Sequence, residues 1–209
     1  MQLTTSTTGI RGGQAGMTML EVLITLVILA FGLLGLAGLH IKIQTLDMEA
    51  YQRAQAILLL RDMVERIKAN SANAADYVPV SPGTTYGTVD PATDTLEDCA
   101  DAATFDTQAK RDICEWSNAL KGASESSSGT KVGAMIGARG CVQQITAPDP
   151  TSGICQPGTY RVSAAWQGLF ATSAPVLSCG SGQYGLPTPN EAIRRAISSD
   201  IVIGLPSCI

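Results

Sequence analysis

The stretch Gly16-Met17-Thr18-Met19-Leu20-Glu21-Val22-Leu23-Ile24-Thr25, which runs on as LVILAFGLLGLAGL to Leu39, decides how the rest of the chain is read. From Met17 to Leu39 only Glu21 carries an ionisable side chain. A helix of that length, rising about 1.5 Å per residue, reaches about 35 Å and covers a hydrocarbon core about 30 Å thick. The run therefore predicts a membrane-spanning helix over 17–39. A carboxylate at its start is the exception, because an unpaired charge at membrane depth costs several kcal/mol and tends to mark function. As a plain first-turn acid Glu21 would gain only roughly 0.3–1 kcal/mol from the helix dipole. Gly32, Gly35 and Gly38 recur every third residue, a pattern that lets helices approach closely or lets the backbone loosen.

Downstream the helical pattern continues without a breaker. Ile43, Leu46, Ala50, Ala54, Ile57, Val64 and Ile67 recur at three- and four-residue steps and predict one apolar face on a helix reaching about Asn70. Glu49 with Arg53 and Asp62 with Arg66 are expected as i,i+4 pairs on its exposed side. His40, where the two halves meet, reads as a solvated flank residue. Upstream, Met1 to Ala15 is polar and small, has no apolar segment of its own, and is excluded from the fold.

After Asn70 the composition breaks. Pro79, Pro82, Gly83 and Gly87 mark irregular chain, and Asp90, Asp94, Glu97, Asp98, Asp101 and Asp106 follow with no base between them. The Asp-x-Asp-x-Asp-Gly order of a calcium loop is absent, so these acids read as a solvated loop and no metal is expected. Ala109, Ile113, Trp116 and Leu120 share one face of a short helix with Asp106 as its expected N-cap and Gly122 as its stop. The stretch from Gly122 to Gly133 reads as a flexible connector. Cys141 to Thr146 and Thr159 to Trp166 read as strands of an antiparallel hairpin, the second placing Tyr160, Val162, Ala164 and Trp166 on one face. A further strand is expected from about Arg194 to Ile203, with Ile197, Ile201 and Ile203 on one side. The fold class is α+β: a long amino-terminal helix, half membrane and half amphipathic, packed on a small antiparallel sheet.

All six cysteines, Cys99, Cys114, Cys141, Cys155, Cys179 and Cys208, follow the apolar run. An even number confined to one side of a membrane helix predicts disulfides in an oxidising compartment. Six cysteines allow fifteen connectivities, of which sequential pairing is the simplest. With no Cys-x-x-Cys and no histidine after His40, neither a zinc site nor a Ser-His-Asp or Cys-His catalytic arrangement is expected. No cofactor is expected, and the chain reads as no enzyme. From Ser71 onward eight Lys or Arg face thirteen Asp or Glu, a net of −5, which argues against a nucleic-acid surface.

A polar leader, Gly16, an apolar Met17, Thr18, Glu21 and an unbroken apolar run together resemble the type IV prepilin signal. The resemblance implies that a prepilin peptidase cuts between Gly16 and Met17 and that the new amine of Met17 is methylated. It also implies that this amine is neutralised by Glu21 of the same or another subunit during assembly. The family more often carries phenylalanine where Met17 stands. Trp116 with Leu120 after Asp112, Tyr160-Arg161-Val162 leading into Trp166-Gln167-Gly168, and Arg194-Arg195 look like the PilV-type minor pilins, or type IV pilus modification proteins. The implied organisation is a cleaved leader at 1–16, the membrane half of the helix at 17–39, its amphipathic half at 40–70, and a disulfide-bonded periplasmic domain at 71–209. The implied role lies in pilus initiation or at the tip, with the inner membrane, other minor pilins, the major pilin and a tip adhesin as partners. A minor pseudopilin of a type II secretion system shares the same anchor and stands as the alternative. A tethered exported enzyme or a binding module ranks below both.

Overall fold

A computed structural model describes residues 16–81, 83–88, 95–123, 126–127, 130–131, 135–185 and 188–205. The chain divides into two compact units, the first ending at Gln44 and the second beginning at Thr45. In the first unit, Gly16 to Thr18 precede helix α1 (Met19–Ala69). Every side chain from Gly16 to Gln44 is exposed. An apolar stretch with a mean hydropathy of 2.7 and none of it buried is built to be covered by something other than its own chain.

In the second unit α1 presents Gln52, Ala56, Leu60, Met63, Val64 and Ile67 to the interior. This corrects the expected face. Val64 and Ile67 are buried and Ile57 is half-buried, but Leu46, Ala50 and Ala54 are exposed. The helix is apolar on two sides, and periodicity alone does not say which side the sheet covers. Arg66 and Lys68 fall in the last turn, where cations suit the helix dipole. A 3-10 turn over Ser71–Tyr77 follows.

The sheet is antiparallel, with strands β1 (Tyr86–Gly87), β4 (Ile136–Thr146), β5 (Gly158–Gln167) and β6 (Arg194–Ile203) in the order β1-β4-β5-β6. The expected hairpin and last strand are present, with Gly158 opposite Ile203 and Gln167 opposite Arg194. Strand β4 starts earlier than expected because Gly137 and Gly140 mask its alternation. Gly140 is required by packing: a Cβ there would overlap the indole of Trp116. Trp116 lies on helix α2 (Gln108–Leu120) and donates its Nε1–H to the Leu59 carbonyl of α1 at 2.8 Å, so one buried ring joins both helices to the sheet. The main core combines Leu60, Met63 and Ile67 of α1 with Val142, Val162 and Ile201 of the sheet.

The N-cap of α2 is Thr107, whose hydroxyl accepts from the Lys110 N–H, and not Asp106. Asp106 instead pairs with Lys110 at 2.8 Å. Gly122, at φ +86°, ends that helix as expected. Within the expected connector, β2 (Ser126–Ser127) pairs with β3 (Thr130–Lys131), while most of the remaining stretch lies outside the described residues.

Cys99 is joined to Cys114, but Cys141 is joined to Cys179, which corrects the sequential scheme. The reason is the hairpin. Five residue steps of strand from Cys141 to Thr146 carry the chain about 17 Å toward the turn that holds Cys155, whereas a disulfide needs Cα atoms about 6 Å apart. Cys155 is itself disulfide-bonded, and Cys208 lies outside the described residues.

Arg194 and Arg195 do more than solvate a strand end. Arg194 is buried, pairs with Glu191, and donates to the carbonyls of Leu177, Cys179 and Pro175, pinning the segment between β5 and β6. Arg195 reaches Glu49 of α1 at 3.2 Å, so Glu49 is held there and by the Leu169 N–H rather than as the surface pair with Arg53.

Candidate functional site

Gly16, Met17 and Thr18 lie just ahead of the first turn of α1, and Met17 is 73% exposed. The Thr18 hydroxyl accepts from the Glu21 N–H at 3.3 Å, and the Thr18 carbonyl accepts from the N–H groups of Glu21 and Val22. Thr18 is thus the N-cap, and Thr18-x-x-Glu21 has the spacing of a capping box. The Glu21 carboxylate sits in the first turn. It meets no cation and no hydrogen-bond donor among the described residues. The three residues expected to act together, Gly16, Met17 and Glu21, therefore lie at and just before the start of α1.

A Cβ built at Gly16 finds no atom within 4 Å, and the same holds at Gly32, Gly35 and Gly38. Nothing among the described residues demands glycine at these positions. A need for small residues at 32, 35 and 38 belongs to neighbours outside the chain or to the helix's own pliability. His40 is bonded to Gln44 at 3.1 Å on the exposed helix.

A second polar cluster lies in the other unit. Arg66 reaches Asp62 at 3.0 Å, Asp112 at 3.1 Å and Glu115 at 2.6 Å, so α1 and α2 share a cation between three carboxylates. Burial works against that cation, but its bonds to Glu115, Asp62 and Asp112 outweigh burial and hold its pKa above the ordinary arginine value. Tyr77 donates its hydroxyl to Asp112, and burial, helped by that bond, pushes its pKa up to about 12. The cluster locks the 3-10 turn and α2 onto α1. Sequence reading found only its Asp62–Arg66 edge, because Asp112 and Tyr77 are linked to Arg66 by the fold and not by spacing.

Residues 43–114 match the Tt1218-like family, described as type IV pilin Tt1218. Residues 11–37 match the prokaryotic N-terminal methylation motif. The chain carries the sequence signatures of a type IV pilin. The methylation motif spans Gly16, Met17 and Glu21, and the pilin match runs from the amphipathic half of α1 to Cys114, leaving strands β4 to β6 outside it. No curated protein and no solved structure matches the chain. The chain is thus similar to type IV pilins over residues 43–114 and to the methylation motif over residues 11–37, and its α+β architecture stands beside those two matches.

Proposed function

We propose that the protein is a minor type IV pilin, cut between Gly16 and Met17 and methylated on the Met17 amine. Residues 17–39 hold it in the inner membrane with residues 71–209 in the periplasm, and it then enters the fibre in initiation or at the tip. The observation that carries this reading is the wholly unburied apolar half of α1 with one unpaired acid a turn from the cut. Bridged cysteines in the second unit support an oxidising compartment. In the fibre, Glu21 meets an N-terminal amine, and such a pair in a poorly solvated bundle fixes axial register more than it adds stability.

Replacing Glu21 by Ala tests this. Insertion is driven by the apolar run and should persist, as should cleavage. Incorporation should fall, because a neighbour's amine is left unpaired at a cost of a few kcal/mol. The readout is the ratio of subunit in sheared fibres to subunit in the inner membrane, with Glu21→Gln intermediate. An unchanged ratio for Glu21→Ala returns the acid to a dipole role. Presence of the unaltered chain in secretion pseudopili and its absence from sheared pili would favour the pseudopilin.

A further inference from the structure

Helix α1 meets the sheet in two stretches of unlike quality. From Leu59 onward it is well fastened: Leu60, Met63, Val64 and Ile67 enter the main core, the Leu59 carbonyl takes the Trp116 indole bond, and Arg66 pairs with Asp112 and Glu115 of α2. Over the preceding turns Glu49, Gln52, Arg53 and Ala56 follow at the three- and four-residue steps that keep side chains on one side of a helix. The apolar contact there is small, Ala56 with Ala164 and Trp166 of β5. A gap of about 260 Å³ is lined by Glu49 and Arg53 of α1, Trp166 of β5, and Arg195, Ala196 and Ile197 of β6. Protein interiors are filled to crystal-like density, so this gap marks a seam that packing does not close.

The seam also holds polar groups that the fold leaves unmet. Gln52 is 1% exposed and Trp166 3%. Among the described residues Gln52 Nε2, Gln52 Oε1 and Trp166 Nε1 are the buried side-chain nitrogen and oxygen atoms with no hydrogen-bond partner. An amide and an indole N–H buried without bonds regain them from water when the seam opens, so the closed form is penalised relative to the open one. Against this stands Glu49. Its carboxylate accepts from the Leu169 N–H at 2.8 Å and from Arg195 at 3.3 Å through Nε and 3.2 Å through Nη2. Arg195 also donates to the carbonyls of Ala192 and Phe170, which makes it a fixed anchor for that carboxylate.

We propose that residues 45–56 of α1 form a strap that lifts from the sheet, bending at the turn between Ala56 and Leu60, with Glu49 as its latch. The helix from Leu59 onward stays docked. Opening hydrates Gln52 and the Trp166 indole and parts Glu49 from Arg195; closing restores the ion pair at the cost of burying the unmet amide and indole. The two forms are balanced by opposing terms on neighbouring turns of one helix, so a single side chain tips them. The inference rests on contacts within the second unit and is independent of the minor-pilin reading.

The test uses the full chain in detergent micelles, with tryptophan as the sole isotopically labelled residue, and reads exchange of the two indole N–H groups with solvent. Trp116 is the internal reference, because its ring is fully buried and its N–H is bonded to Leu59 on the docked side. In the unaltered chain Trp166 should exchange about 100-fold faster than Trp116, since lifting the strap exposes it without unfolding the unit. Glu49→Gln weakens the latch and should speed Trp166 about tenfold further. Gln52→Leu removes the unmet amide and should slow Trp166 about fivefold. Equal exchange at the two indoles of the unaltered chain overturns the proposal, because Trp166 is then reached only by unfolding of the whole unit, and this result requires no variant. A fast Trp166 signal that neither substitution moves also overturns it, because water then reaches the indole without the strap lifting.

Discussion

A side chain at position 16 would meet nothing in the subunit, which separates two explanations for that glycine. If glycine served the fold, Gly16→Ala would destabilise the protein. Since it does not, the variant should insert and fold normally but keep its leader, and intact-mass measurement should find Met1-initiated chain in place of methylated Met17. Correctly trimmed Gly16→Ala protein would remove the reading of this position as a cleavage signal. Gln52 presents the opposite situation. Its side chain is buried on α1, and neither its Nε2 nor its Oε1 has a partner among the described residues. A buried amide without its bonds carries a desolvation cost of about 1–3 kcal/mol, and an apolar residue of similar size carries none. Gln52→Leu should therefore raise stability by about 1 kcal/mol, or roughly 2–4 °C in melting temperature for a unit of this size. A lowered melting temperature would show that the amide is satisfied in solution.

Elements are held in place by links between residues far apart in sequence. Cys141–Cys179 closes a segment of 38 residues and fastens β4 to the chain beyond β5. In the chain-entropy model a loop of that size is worth about 3–4 kcal/mol. Peptide mapping under non-reducing conditions should recover Cys99 with Cys114 and Cys141 with Cys179, leaving the Cys155 and Cys208 peptides for a third bridge. The double replacement Cys141→Ser with Cys179→Ser should unfold at lower denaturant than the Cys99→Ser, Cys114→Ser pair, whose loop spans only 15 residues. Recovery of a Cys141–Cys155 peptide would contradict the hairpin geometry. These elements also show what a sequence reveals. Helix α1, the hairpin strands and β6 were legible because their apolar periods extend over many residues, and Tyr160, Val162, Ala164 and Trp166 do share the buried face. The buried side of α1 was not, since two apolar stripes compete and only the sheet chooses between them. Nor was β1, whose two residues carry no period, or the pairing of Cys141, which depends on how the chain returns after β5. At the candidate site, the roles proposed for Gly16, Met17 and Glu21 are read from a local pattern, while the Thr18 cap became visible only through its bond to the Glu21 N–H.

At the scale of the whole molecule, the ionisable groups predict how stability moves with pH. Bonds to Thr151, Arg161 and the Gly182 N–H hold Asp149, Asp200 and Glu191 below their ordinary carboxyl values, and Asp106 is lowered by Lys110. A lowered folded-state pKa gives stability that is present above the unfolded value and lost as protons arrive, so stability should decline below about pH 4.5. These carboxyls are largely exposed, so the acid limb should be shallow and weakened further by salt. The alkaline limb should be steeper. Tyr77 is fully buried and its pKa is raised to about 12 against an ordinary value of about 10. Its protonated form is the one the fold holds, so its contribution is complete below about pH 10 and is lost as pH rises toward 12, a change on the order of 2–3 kcal/mol. Burial also raises Tyr86 and Tyr184, so some alkaline loss is independent of Tyr77. Tyr77→Phe separates the two. It removes one donor from Asp112, which keeps its bonds from Arg66 and Gln108, and should lower stability at pH 7 by about 1 kcal/mol. Between pH 10 and 12 the variant's denaturation midpoint should fall less steeply than that of the unaltered chain, and because the loss of about 2–3 kcal/mol exceeds the starting lead of about 1 kcal/mol, the two curves should cross at about pH 11. Parallel curves across that range would mean that Tyr77 ionises as freely in the folded protein as in the unfolded chain and that its bond to Asp112 does not persist in solution.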